Sequence, residues 1–244
     1  MTIGIGLKAE GGIVLAADSQ ETIAGFAKRH TGKIPIFVYK NFAVTFVGAG
    51  HSDYIETAIQ KATNNLSRCK NLREVEMYLE ERLVGFFDGH LANWAMFPVK
   101  ERPDLELLVG ITMKNGPSEL FHYTGTVFQR TAHKAIGMGA ILATGLVSDL
   151  CWDIQDLTHL TTLAVYIIKR MKDSVNFCGG FTSLVAMRSG GDFGMSDSRE
   201  IRKLEDALSE IEEHNKKDFR AKMIERQMPI RWLERKGKKE LGWG

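Results

Sequence analysis

A threonine stands second in this chain, directly behind the initiator methionine, and a methionine before so small a residue is readily removed. Removal would leave the Thr2 hydroxyl beside a free α-amine, a pair that can serve as a complete nucleophile and base. The other chemistry-bearing residues form no comparable pattern. Seven histidines are scattered without an H-x-x-x-H pair or the carboxylate spacing of a metal centre, so no metal and no cofactor is expected. Cys69, Cys151 and Cys178 are an odd set with neither C-x-x-C nor zinc spacing, which reads as reduced thiols of a cytoplasmic protein.

The chain has 244 residues, 44% of them apolar, enough for a substantial core. Its formal net charge is +2 with both signs interspersed, which argues against a nucleic-acid partner or an acidic substrate surface. No apolar run reaches membrane-spanning length, and Lys8, Glu10 and two glycines interrupt the opening run, so neither a secretory signal nor a membrane partner is expected.

The elements that must hold Thr2 begin at once. Ile3, Ile5 and Leu7 alternate, the chain turns at Glu10-Gly11-Gly12, and Ile13 to Ala17 continue as a strand buried on both faces. A second hairpin joins Ile34–Tyr39 to Phe42–Val47 through Lys40-Asn41 and ends at Gly48-Ala49-Gly50. Helical spacing then takes over, with one stripe at Ile55, Ala58, Ile59, Ala62 and Leu66 and another at Val75, Leu79, Leu83, Phe86 and Phe87. Strand periods return over Leu105–Met113 and Glu119–Tyr123, around a turn at Lys114-Asn115-Gly116-Pro117. A short helix over Gly139–Leu150, a longer one carrying Leu160, Leu163, Ala164, Ile167, Ile168 and Met171, and a strand over Phe181–Met187 follow. This order suits sheets stacked between helix layers better than a βαβ alternation. From Ser198 onward roughly half the residues are charged against an ordinary quarter. The expected organisation is a core domain over 1–197 and a charged helical arm over 198–244, whose seam is Ile201, Leu204, Leu208 and Ile211.

Six short motifs carry a resemblance. They are T-x-x-x-G at Thr2, I-V-L-A-A-D-S ending at Ser19, T-G-K-I ending at Ile34, G-A-G-H-S-D ending at Asp53, N-G-P-S-E-L-F ending at Phe121 and A-I-G-M-G ending at Gly139. In this order, over about residues 2 to 190, the chain resembles the proteasome β subunits, a branch of the N-terminal-nucleophile hydrolases. The resemblance implies an α+β fold, a four-layer αββα sandwich. It places the nucleophile on Thr2, the aspartate on Asp18 and the active-site lysine on Lys33. A cation beside the Thr2 amine would lower its pKa and leave it neutral to accept the hydroxyl proton, while Asp18 would hold Lys33 in place. The backbone amides at Ala49-Gly50 suit an oxyanion hole, with Gly50 favoured and a one-residue slip to Ala49 left open.

By the same resemblance the chain is a threonine peptidase acting on peptides or unfolded proteins, assembled as a homo-oligomeric ring and able to work with an unfoldase partner. Two departures bear on activity. Met138 stands where the family has a serine between two glycines, and Asp173 lies five residues before Cys178, which replaces another serine. A thiol is the poorer hydrogen-bonding group. The competing readings are an inactive ring subunit and an N-terminal-nucleophile amidase or transpeptidase for a small substrate.

Overall fold

Ile3, Ile5 and Leu7 are fully buried and so are all apolar residues from Ile13 to Ala17, because the first two strands lie in the middle of a layered core. The computed structural model describes residues 3–23, 27–30, 32–92, 96, 104–150 and 156–225. β1 (Ile3–Ala9) and β2 (Gly12–Asp18) form a hairpin, followed by a small one of β3 (Gln20–Ile23) and β4 (Ala27–His30). β5 (Ile36–Val38) and β6 (Phe42–Gly50) lead to α1 (Ser52–Thr63) and α2 (Leu72–Phe86). Next come β7 (Leu105–Met113), β8 (Ser118–Thr124), β9 (Val127–Arg130) and β10 (His133–Gly137). α3 (Ala140–Leu150), α4 (Leu157–Ser174), β11 (Thr182–Arg188), β12 (Phe193–Met195) and α5 (Ser198–Glu225) complete the described chain.

Two five-stranded sheets result, in the orders β10-β1-β2-β11-β12 and β5-β6-β7-β8-β9, every pairing antiparallel. α3 and α4 cover the outer face of the first sheet, and α1 and α2 that of the second. The architecture is the expected four-layer αββα sandwich. Its inter-sheet layer is built from Ile13, Leu15, Ala17, Val47, Ala49, Leu108, Leu120 and Ile136. Gly4 and Gly6 let the layers close, since a Cβ on either would run into Val47 or Leu120 of the other sheet.

Both helix pairs bury one stripe. Leu160, Leu163, Ala164, Ile167, Ile168 and Met171 are all buried, as are Val75, Leu79, Leu83 and Phe86. Local chemistry starts the helices where the apolar period starts. The Asn71 side chain caps α2 by accepting from the Glu74 amide at 3.0 Å, and Glu74 reaches back to the Lys70 amide at 2.8 Å. Asp156 caps α4 through the His159 amide at 3.2 Å.

The chain divides into two compact units, the first ending at Glu205 and the second comprising Asp206–Gly244. The first two turns of α5 accordingly belong with the sandwich. Ile201 is buried there, and Glu205 accepts hydrogen bonds from Thr182 at 2.6 Å and Lys172 at 2.5 Å. Further along the seam Ile211 is exposed.

Candidate active site

Asp18 ends β2 with no exposed surface, so its carboxylate must find every partner within the protein. Three donors converge on it. Oδ1 accepts from the Ile3 amide at 3.2 Å and from Lys33 Nζ at 2.9 Å, and Oδ2 accepts from the Gly179 amide at 3.0 Å. Lys33 Nζ also donates to the Gln20 carbonyl, which leaves the ammonium held from two sides in a site where its side chain is only 10% exposed. The structure thus brings Asp18, Lys33 and the amide that links Ile3 to residue 2 into one hydrogen-bonded cluster. Thr2 itself lies outside the described residues.

The segment after α4 is stitched to the end of β2. Ser19 donates its amide to the Phe181 carbonyl at 2.8 Å while its hydroxyl accepts from the Phe181 amide at 2.8 Å, and the Gln20 amide donates to Gly179 O at 3.1 Å. These bonds deliver the Gly179 N–H to Asp18. Asp173 takes another course, for its half-exposed carboxylate pairs with Lys169 one turn back on α4 at 2.8 Å. Cys178 is buried beside the cluster, where burial first and the Asp18 charge second push its thiol up to about 11.

That thiol is held protonated at neutral pH and is no nucleophile there. In the folded chain an alkylating reagent should modify Cys178 roughly 100-fold more slowly than in the unfolded chain, by mass spectrometry of the tryptic peptide. The same raised value favours the folded state below the unfolded thiol's pKa. Its contribution is lost as pH rises through about 11.

Gly50 comes from the other sheet. It ends β6 opposite Leu105 with φ +120°, and a Cβ there would meet the Asp104 carbonyl oxygen at 1.9 Å, so only glycine fits. The next residue, His51, donates its amide to Asp104 O at 2.9 Å. Bonded and non-bonded pairs alternate along an antiparallel ladder, so Ala49 commits its amide to β7 and Gly50 turns its own to the opposite side of β6. Ala49 shares the inter-sheet cluster with Ala17, the neighbour of Asp18, which packs the ends of β6 and β2 face to face. Met138 follows β10 with its side chain half exposed and supplies no hydroxyl. Among the described residues no three His, Cys, Asp or Glu side chains gather as a metal site, and no described helix is long and apolar enough to cross a membrane.

No family model and no curated protein matches the chain. Solved structures do match. Anbu from Hyphomicrobium sp. strain MC1 superposes with a TM-score of 0.68 at 14% identity, and its Gly-1 mutant with 0.70 at 15%, each covering 88% of this chain and 96% of that one. Anbu (ancestral β-subunit) from Yersinia bercovieri gives 0.67 at 15% identity over 96% of this chain and 100% of its own.

This chain has a proteasome-like fold. At such identities the likeness concerns architecture alone, the N-terminal-nucleophile hydrolase type of sandwich, and the chemistry rests on the residues above. Reasoning from sequence did not find the Gly179 amide. It is a backbone group 161 positions from Asp18 and leaves no side-chain signal.

Proposed function

We propose that this chain is a threonine peptidase of the proteasome-like type, cleaving peptide bonds through Thr2 once Met1 is removed. The observation that carries the reading is the buried cluster of Asp18 and Lys33 on the Ile3 amide, the first described group after residue 2. A lysine ammonium is fixed there by a carboxylate that is fully enclosed, and a Thr2 amine, one residue before Ile3, would need to be neutral to act as the base. The positive charge lowers the proton affinity of a neighbouring amine, so that amine can take the Thr2 hydroxyl proton at neutral pH.

Thr2 Oγ bonds to the scissile carbonyl carbon, its proton passes to the α-amine, and the oxyanion forms toward the Gly50 amide. Collapse breaks the C–N bond, the ammonium returns its proton to the leaving amine, and an ester remains on Thr2. Water, deprotonated by the same amine, hydrolyses that ester and restores the hydroxyl. The test is hydrolysis of N-acylated fluorogenic peptides by the full chain, with Thr2 variants as the control. Turnover that survives Thr2→Ala would remove the reading.

Assembly into a ring of identical subunits belongs to the same proposal, and the seam of α5 is its readout. An isolated helix of this kind gains too little from its own hydrogen bonds to be stable in water, and it needs a partner surface. A chain ended after Glu205 keeps the Ile201, Thr182 and Lys172 contacts of the sandwich. It should melt within a few degrees of the full chain and yet lose the oligomer in light scattering. An unchanged mass would show that residues 206–244 do not join subunits.

A further inference from the structure

The inter-sheet layer is apolar but for a few positions, and two of these face each other beside the candidate site. Glu106 on β7 and His122 on β8 occupy the face that also carries Leu108 and Leu120. His122 is 3% exposed, and neither ring nitrogen makes a hydrogen bond among the described residues. Its Nε2 stands 3.5 Å from Glu106 Oε1, an electrostatic contact longer than a well-formed hydrogen bond. The other carboxylate oxygen, Oε2, crosses to the first sheet and accepts the Gly137 amide in a long hydrogen bond of 3.4 Å. Gly137 ends β10 in register with Ile3, and Glu106 is in register with Ala49. Glu106 thereby links β7, the partner of the strand that ends in Gly50, to the turn that flanks the N-terminal strand.

We propose that Glu106 is a positioning residue of the N-terminal site: its carboxylate, backed by the buried His122 ring, holds the Gly137 amide and fixes the Gly137-Met138-Gly139 turn beside Ile3. The proposal rests on the reading of Thr2 as nucleophile. Three observations support it beyond the contact itself. The Glu106 side chain is 28% exposed at the margin of an apolar layer, so its carboxylate is partly desolvated, and its partners come from both sheets. The His122 ring, opposed by burial, and then the Gly137 amide and the Lys134 charge hold Glu106 below the usual carboxylate range, while the Glu106 charge adds to burial in raising Asp104. The turn it holds is where Met138 supplies no hydroxyl, so backbone anchoring is left to hold its shape.

The experiment compares wild type, Glu106→Ala and Glu106→Gln as full chains, reading kcat and KM on a fluorogenic peptide and amide exchange over residues 133–139. Glu106→Ala should lower kcat about tenfold at unchanged KM, the cost of a loosened reacting geometry, and should speed exchange at Gly137. Glu106→Gln keeps an acceptor oxygen and should restore most of both. Wild-type kcat and exchange in Glu106→Ala would overturn the proposal, as would an equal loss in both variants accompanied by a matching fall in melting temperature. The exchange readout needs no turnover. If peptide hydrolysis proves independent of Thr2, the functional reading falls, and unchanged Gly137 exchange in Glu106→Ala still separately overturns the role given to Glu106.

Discussion

Lys33→Ala is expected to lower peptide hydrolysis by roughly 10² to 10³-fold, because it removes the cation that keeps the Thr2 amine neutral and the strut that spaces the cluster. Among the described residues it also leaves the buried Asp18 carboxylate with only the Ile3 and Gly179 amides. Breaking one side of a buried pair costs on the order of 3 to 5 kcal/mol, so the variant should melt well below wild type as well. The two effects separate by pH. A remaining amine whose pKa is no longer lowered becomes a base only when it loses its proton, so activity in Lys33→Ala should recover as pH rises, while the stability loss persists. An unchanged rate, or a lowered rate with the wild-type pH profile, would take Lys33 out of the mechanism.

Thr2→Ala should have the larger effect on rate and the smaller one on stability. It deletes the attacking oxygen, and knocking out a nucleophile removes the covalent route altogether, a loss of roughly 10³-fold or more that leaves only background. Thr2→Ser keeps the hydroxyl and the amine and should retain measurable turnover. Because the described contacts of Asp18 and Lys33 involve the Ile3 and Gly179 amides and the Gln20 carbonyl, which both variants keep, both should melt close to wild type. Rates of Thr2→Ala, Thr2→Ser and wild type on one fluorogenic peptide, with melting curves of the same preparations, provide the check.

The long elements were legible because their apolar residues recur at the period of the element that buries them. All six stripe positions expected for α4 are buried, and β1, β2, β6 and β7 fall where alternation or continuous apolar runs put them. The short strands were not. β3 and β4 lie in QETIAGFAKRH, too polar for a period to register, and β9, β10 and β12 have only three to five residues each. At the site, Asp18 and Lys33 were found through a resemblance in ordered motifs, since a carboxylate and a lysine fifteen residues apart carry no signal of their own. The structure adds what brings them together, the enclosure of Asp18 and its three donors. Glu106 and His122 did leave a trace. Each is a polar residue on the inward face of an apolar strand, His122 buried and Glu106 partly so, and the pairing is visible only once the neighbouring strands are known.

If Thr2 becomes the chain end and is acylated in turnover, the intact mass of the full chain, taken before and after a brief exposure to an activated peptide ester, records both events. The expected result is a chain lighter by one methionine residue, then a second species heavier by one acyl group that maps to Thr2 and is absent from Thr2→Ala. A chain that keeps Met1, or one that hydrolyses the ester without any adduct on Thr2, would contradict it.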